Sequence, residues 1–239
     1  MQALSAVSFE AFGDKFWRHP GSYQYASTTH LVPVVAGELS KAAAHLPLAF
    51  VEVDGVWQMV AVLALQPGTN LLVGPQGQWL GEYIPALLRG YPFTMVRASD
   101  GATYTLFALN EGDHLVSKDQ GAPFFISETE AGPETQRMMN YLADVENFRG
   151  QMLRAVKALV DQQLIVPWAL MNVHEGVQQN IEGLYRLDEA AFDALSPEAL
   201  LALQANGALP IAFAQLFSRE QFSALNRAAA EGRRLRASV

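Results

Sequence analysis

The sequence predicts an α+β protein: a mainly antiparallel sheet built from hairpins in the N-terminal half, one long amphipathic helix, then a strand pair and short C-terminal helices. Two Asp-Gly dipeptides, at 54–55 and 100–101, each separate two apolar runs, as the turn of a β-hairpin does. Apolar residues recur every three or four positions across 133–164, which is the period of an amphipathic helix. Capping signals then mark several short helices within 189–234.

The N-terminal half supplies the predicted sheet. Residues 1–30 contain scattered aromatics without a sustained period, which predicts an irregular N-terminal arm packed onto the domain. In the sheet-rich part, 31–110, a short helix is predicted over 38–45. Four strands follow it, over 48–53, 56–65, 93–97 and 103–109. Residues 56–62 have almost no polar face, so we expect this strand to be covered on both sides.

The C-terminal half is mainly helical. A long connection over 110–133 leads to the helix of 133–164, which Pro167 is expected to stop. In the remaining part, 166–235, the pattern predicts a pair of strands over 166–173 and 178–187. Short helices follow, over 189–195, 197–204, 211–217 and 220–234. No repeat of fixed period divides the chain, so residues 1–239 are expected to form a single domain.

Charge is scarce and unevenly placed. Of 239 residues, 17% are charged, against roughly 25% in an ordinary soluble domain. Residues 31–96 hold 6 charges in 66 positions. This segment is therefore either the buried centre of the fold or includes a face that a partner covers.

Several function classes are disfavoured. The net charge of −8 repels a phosphate backbone, so nucleic-acid binding is not expected. The chain has no cysteine, the five histidines lack the spacing of metal ligands, and the sequence motifs of phosphate-binding loops and nucleophile elbows do not occur. We therefore expect no metal and no cofactor. The acidic composition of the connection over 110–133 favours an ordinary solvated loop. Calcium binding stays an open alternative for its carboxylates, Glu111, Asp113, Asp119, Glu128 and Glu130.

The N-terminus and the apolar runs bear on location. The first 18 residues lack the cationic start and apolar block of a signal peptide, which predicts a cytoplasmic protein that could reach a cell surface only by a non-classical export route. The longest apolar run in the charge-free stretch, 59–65, is too short to span a membrane, so a soluble chain without membrane insertion is expected.

One segment carries a family resemblance. Residues 79–93 read W-L-G-E-Y-I-P-A-L-L-R-G-Y-P-F, and Pro85, Gly90 and Pro92 predict a short helix over 85–89. This block, together with the V-P-V-V of 32–35 and the L-P-L-A-F of 46–50, resembles the bacterial SapC-like family over roughly residues 25–230. The resemblance implies association with a surface layer or with an outer-membrane uptake system. Relatives in this family tend to be encoded near outer-membrane receptors and flavin-dependent tryptophan-halogenase-like proteins.

Two functions are weighed. The favoured one is a non-catalytic interaction protein that binds a protein partner through Trp79, Tyr83, Arg89 and Tyr91, since aromatics and arginine concentrate binding energy. The competing interpretation of these residues is that the aromatics are core anchors and the arginine a solvated helix end. The alternative function is an enzyme acting on a small or peptidic carboxylate, accessory to a halogenase-like pathway.

That enzyme would use Arg89 as a clamp for the carboxylate and His30 or Glu38 as the base. Helix 133–164 could also form a homodimer, although an ordinary core helix is favoured.

Overall fold

The computed structural model describes residues 4–97, 104–109, 116–174 and 177–237. It is 45% helical and 23% strand, with antiparallel sheets, which confirms the α+β class. The chain forms two compact units, and each consists of two separate chain segments. The smaller unit comprises Met1–Gly21 and Leu87–Asn147, and the larger comprises Ser22–Ala86 and Phe148–Val239.

The strands of the described residues are, in chain order, β1 (Leu4–Ala6), β2 (Phe16–Trp17), β3 (Leu31–Pro33), β4 (Leu48–Val53), β5 (Val56–Val62), β6 (Phe93–Arg97), β7 (Tyr104–Leu109), β8 (Val116–Ser117), β9 (Ala122–Pro123), β10 (Phe125–Ser127), β11 (Glu130–Ala131), β12 (Ile165–Pro167), β13 (Leu170–His174), β14 (Val177–Ile181) and β15 (Tyr185–Leu187).

The α-helices are α1 (Phe9–Phe12), α2 (Leu39–His45), α3 (Ala86–Arg89), α4 (Pro133–Asp161), α5 (Glu189–Asp193), α6 (Pro197–Ala205), α7 (Ala208–Ser218) and α8 (Phe222–Ala237). Three short 3-10 helices, at Gln24–Ala26, Ala36–Glu38 and Arg219–Gln221, add to them. The second of these runs directly into α2, so the predicted helix of 38–45 is confirmed with a 3-10 turn ahead of it.

The smaller unit contains the sheets β1-β7-β6, β8-β2-β9 and β10-β11. Trp17 lies in its core, where the indole N–H donates to the Thr135 hydroxyl at 2.9 Å and the ring meets Phe93 edge to face, with 4.6 Å between ring centroids. The N-terminal arm is therefore more regular than predicted, because β1, α1 and β2 are too short to show a period but are ordered by this packing.

The connection before α4 also differs from the prediction. Four short strands, β8 to β11, form between Val116 and Ala131, where the sequence predicts one long connection. Two-residue strands carry no alternation that a sequence could show. Residues 110–115 lie outside the described part.

The larger unit is centred on the sheet β12-β15-β4-β5-β3. Its β4–β5 hairpin turns at Asp54 and Gly55, with φ of 51° and 77°, the positive values that a type I′ turn needs. This hairpin is confirmed. The second predicted hairpin is confirmed as well, since β6 pairs with β7, although its Asp100-Gly101 turn lies outside the described residues.

The two-sided cover predicted for β5 is confirmed only for its second half, because Val56 is 52% exposed and Trp57 and Gln58 are half-buried. Met59, Val60, Ala61 and Val62 are all buried, although successive side chains of a strand point to opposite faces. On one face Val60 and Val62 belong to a cluster with Leu184, and on the other side of the sheet α7 packs against β4. Residues 59–62 of the charge-poor segment therefore belong to the buried centre of the fold.

A side-chain amide interrupts the sheet between β4 and β15. These strands pair at Tyr185 and Phe50, and the same register would place Leu187 opposite Leu48 two residues further on. There Gln215 of α7 stands between them. The Leu187 N–H donates to Gln215 Oε1 at 3.1 Å, and Gln215 Nε2 donates to the Leu48 carbonyl at 3.3 Å. The Ser218 hydroxyl accepts from the Leu48 N–H at 3.1 Å. Helix α7 thus supplies the hydrogen bonds that the ladder lacks.

The long helix α4 is confirmed, but the prediction that Pro167 stops it is wrong. The helix ends at Asp161, and Gln163 then adopts φ of 57°. The Leu164 N–H donates to the Leu159 carbonyl and the Gln163 N–H donates to the Val160 carbonyl, which is the Schellman arrangement of a helix end. A glutamine in a position that usually holds glycine gives no sequence signal for this end.

The C-terminal elements follow the predicted order. The expected strand pair is split, because β12 pairs with β15 whereas β13 pairs with β14 as a separate hairpin. Helix α6 has Ser196 as its N-cap, whose hydroxyl accepts from the Ala199 N–H at 3.2 Å, and Gly207 beyond it has φ of 70°. In the first turn, hydrogen bonds from its own backbone N–H and from the Ser196 hydroxyl lower the pKa of Glu198.

Within the described ranges, we find no individual helix that combines the length and the apolarity needed to cross a membrane. One pair, Pro197–Ala205 with Ala208–Leu235, meets both criteria jointly but bends by 95°.

Candidate functional site

The Y-I-P-A segment, residues 83–86, is held by hydrogen bonds to two side chains outside it, those of Trp79 and Glu38. The half-buried Trp79 donates its indole N–H to the Tyr83 carbonyl at 3.0 Å, and its ring lies 5.4 Å from that of Tyr23. A backbone bridge pairs Trp79 with Val73. Trp79 and Tyr83 therefore order a loop that has little regular secondary structure.

A buried carboxylate joins this loop to the V-P-V-V segment. Glu38 is 4% exposed, and its Oε1 accepts from the Val35 N–H at 3.1 Å. Its Oε2 accepts from the Tyr83 hydroxyl and from the Ala86 N–H, both at 2.7 Å. A buried carboxylate needs such donors to replace water. Glu38, weighed as a catalytic base, is thus engaged in holding two motifs together.

The other two predicted binding residues belong to the smaller unit. Arg89 is exposed at the end of α3, with its guanidinium carbon 5.5 Å from the centre of the Tyr141 ring. Tyr91 is half-buried and precedes a cis Tyr91–Pro92 peptide bond. Trp79 and Tyr83 lie in the larger unit. A role of these four residues in one binding site stays a prediction.

Helix α7 presents an exposed aromatic pair that the sequence does not single out. Phe213 is 43% exposed and Phe217 is 71% exposed, and their rings stack with centroids 6.0 Å apart. On the same helix, Gln215 and Ser218 are fully buried. The two polar residues thus face inward beside Ile211 and Ala212, whereas the two phenylalanines face outward, so α7 lacks the polar outer face of an ordinary amphipathic helix. The signal in the sequence is a helix with aromatics at positions 213 and 217 but without a single charge.

Helix α6 carries further exposed apolar side chains. Leu201 is 65% exposed and Leu200 is 37% exposed, and α6 packs against α7. We call Leu200, Leu201, Phe213 and Phe217 the α6–α7 apolar face. A phenylalanine or leucine that stays in water forgoes roughly 1.5–3 kcal/mol of burial free energy.

His30, the second base considered, lines a groove of about 780 Å³ along one face of the central sheet. The groove wall is largely aliphatic, with Val51, Val60 and Leu184 among its residues. Glu52, Gln58 and Glu182 also line the groove, so it combines an aliphatic wall with polar and acidic groups.

Among the described residues, no group of three or more histidine, aspartate or glutamate side chains could hold a metal ion. Of the acidic connection, Asp119, Glu128 and Glu130 belong to this part of the chain, whereas Glu111 and Asp113 lie outside it. Calcium binding by the whole connection stays a hypothesis.

Comparison with known proteins gives one match. The family model described as SapC matches residues 7–225, nearly the whole chain. No curated protein matches, and no solved structure matches.

Proposed function

Because the chain belongs to the SapC family, we propose that it is a non-catalytic binding protein that docks onto a protein partner of a surface-layer or outer-membrane uptake system. The observation that carries this proposal is the exposed Phe213–Phe217 ring pair on α7. Large apolar side chains grouped on a surface are typical of interaction sites, and aromatic side chains concentrate binding energy in such sites.

The helix that carries the two rings is fixed in place by hydrogen bonds and ring packing. The inner side of α7 is fixed to the sheet by Gln215 and Ser218, and Phe213 also meets the buried Phe192 edge to face at 5.6 Å. Little ordering of the aromatic pair is therefore needed when a partner binds, which reduces the entropic cost of association.

The chemistry of the partner follows from the charges nearby. Arg219, which follows α7, forms an ion pair with Glu189 at 2.7 Å. Helix α7 itself contains no charged residue. The partner is therefore expected to offer an apolar groove for two aromatic rings, and its affinity should depend only weakly on salt.

The test compares Phe217→Ser with Val56→Ser. Val56 is 52% exposed at the β4–β5 turn of the same unit, so its substitution removes a similar exposed apolar group elsewhere. Tagged protein is purified from the organism that encodes it, co-purifying proteins are identified, and binding of the purified candidate is measured by calorimetry. We expect Phe217→Ser to weaken binding at least tenfold and Val56→Ser to leave it unchanged. Equal affinity of both variants, with unchanged circular dichroism, overturns the proposal.

The same calorimetry tests the residues first predicted from the sequence. Arg89→Ala removes the guanidinium at the end of α3, and loss of partner affinity without loss of stability would support a binding role. If the variant keeps both, Arg89 does not contribute to binding.

Two further expectations accompany the proposal. A cytoplasmic location, with non-classical export as the route to the surface, is checked by cell fractionation. An ordinary core helix stays the favoured interpretation of α4, and light scattering at micromolar concentration checks the alternative, a homodimer formed through it.

A further inference from the structure

A second cavity of the larger unit, of about 540 Å³, lies between the end of α2, the loop around Glu82 and helix α8. Its volume falls within the roughly 300–1,000 Å³ of small-molecule sites. Its inner wall is apolar, because Leu46, Leu72, Leu225 and Ala228 line it and are all buried. An apolar wall of this size fits one aliphatic or aromatic group.

Charged side chains of both signs surround this wall. His45 Nδ1 lies 3.2 Å from Glu82 Oε2, and Glu82 is exposed. Across the cavity, Arg227 and Glu231 stand four residues apart on α8. That spacing places both side chains on one face of the helix, with roughly 5–6 Å between their Cβ atoms.

The Arg227 guanidinium retains donor capacity. In the part of the chain that the structure describes, it forms one long hydrogen bond, of 3.4 Å, to the Ser223 hydroxyl. Glu231 instead accepts from Arg234 at 3.2 Å. A guanidinium has five N–H donors and matches a carboxylate in a bidentate fashion.

The balance of charge selects the ligand class. The lining contributes two carboxylates, Glu82 and Glu231, and one guanidinium, Arg227. Arg234 pairs with Glu231 from outside the lining, so the charges of the two carboxylates and the two arginines balance. A phosphate or another multiply charged anion would be repelled by the two carboxylates, and a plain amine would leave the guanidinium without a partner. A molecule that carries one ammonium and one carboxylate beside an apolar group satisfies all three features.

We propose that this cavity binds an apolar α-amino acid. Its carboxylate pairs with Arg227, its ammonium group lies toward Glu231, and its side chain packs on Leu72 and Leu225. This function is additional to docking through the α6–α7 apolar face, and it uses residues of other elements.

Calorimetric titration with three probes tests the ligand class. The probes are phenylalanine, 3-phenylpropionate, which lacks the ammonium group, and 2-phenylethylamine, which lacks the carboxylate. We expect phenylalanine to bind at least tenfold more tightly than either of the others. If phenylalanine does not bind at millimolar concentration, or if one of the two singly charged probes binds as tightly, the proposal fails.

Three variants locate the site. Arg227→Gln is expected to weaken phenylalanine binding at least tenfold while the affinity for 2-phenylethylamine stays the same. Glu231→Gln is expected to weaken the binding of phenylalanine and of the amine. Arg233→Gln removes a charge from the same helix at a position outside this cavity's lining and is expected to change neither. Phenylalanine binding that survives both Arg227→Gln and Glu231→Gln overturns the assignment, and unchanged melting temperatures show that each variant is folded.

Discussion

The Tyr83 hydroxyl donates a 2.7 Å hydrogen bond to the carboxylate of Glu38, 45 residues earlier in the chain. Glu38 is buried and also accepts from the backbone N–H groups of Val35 and Ala86. Two motifs that support the family resemblance, V-P-V-V and Y-I-P-A, thus meet at one carboxylate. This relationship gives both motifs a structural reason for their residue types.

Replacement of Tyr83 by phenylalanine removes one of the three donors to Glu38. A hydrogen bond to a buried acceptor of this kind contributes about 1–2 kcal/mol, so we expect the free energy of unfolding of Tyr83→Phe to fall by that amount. Urea denaturation followed by circular dichroism measures it.

Tyr23→Phe is the matched control, because Tyr23 is also half-buried in the larger unit. The described residues supply no hydrogen-bond partner to its hydroxyl, and we expect a change within about 0.5 kcal/mol. Equal stabilities of the two variants would show that the Tyr83–Glu38 bond contributes nothing to folding.

Replacement of Gln215 by leucine tests the amide inserted between β4 and β15. The leucine leaves the Leu187 N–H and the Leu48 carbonyl without their partners. Each buried polar group left unsatisfied costs about 1–3 kcal/mol, so the free energy of unfolding of Gln215→Leu is expected to fall by about 2–6 kcal/mol.

Amide hydrogen exchange at Leu187 should accelerate in the same variant, because its N–H no longer has an acceptor. Gln204→Leu makes the same substitution at an exposed position of α6 and is expected to be nearly neutral. A Leu187 amide that stays as protected as in the wild type contradicts the assigned role of Gln215.

Gly121 in the smaller unit has φ of 114°, and a Cβ there would lie 2.2 Å from the Trp17 carbonyl oxygen. Neither the backbone conformation nor the space suits alanine, so Gly121→Ala is expected to lower stability by at least about 2 kcal/mol. Gly21 is the control, because a Cβ added there would meet nothing within 4 Å, and Gly21→Ala is expected to change little. Differential scanning calorimetry of both variants measures the effect, and similar melting temperatures would refute it.

The sequence predicts those parts of the fold that local patterns encode. The Asp54-Gly55 turn, the three- and four-residue period of α4 and the Ser196 cap of α6 each depend on neighbours in the chain. The end of α4 escapes prediction, because Gln163 takes a conformation that its residue type does not indicate. The strands β8 to β11 escape as well, since two or three residues carry no period.

The candidate sites depend more strongly on tertiary structure. The outward direction of Phe213 and Phe217 follows from the burial of Gln215, whose partners lie on two distant strands. The cavity beside Arg227 likewise combines residues from α2, the loop around Glu82 and α8. From the sequence alone, the aromatic block at 79–93 is the more conspicuous candidate, although Trp79 and Tyr83 turn out to hold their own loop.

Each compact unit is assembled from two stretches of chain, and this has a consequence for biosynthesis. Strand β1 pairs with β7, about a hundred residues later in the chain, so this pairing cannot form until β7 has been synthesised. By then the first segment of the larger unit, Ser22–Ala86, has also been synthesised. Pairings over such separations are entropically costly and form slowly. The charge-poor residues 31–65 are therefore translated well before α7 and α8, which cover them in the folded protein. During translation this apolar stretch is exposed, and it is the part of the chain that a chaperone is most expected to bind.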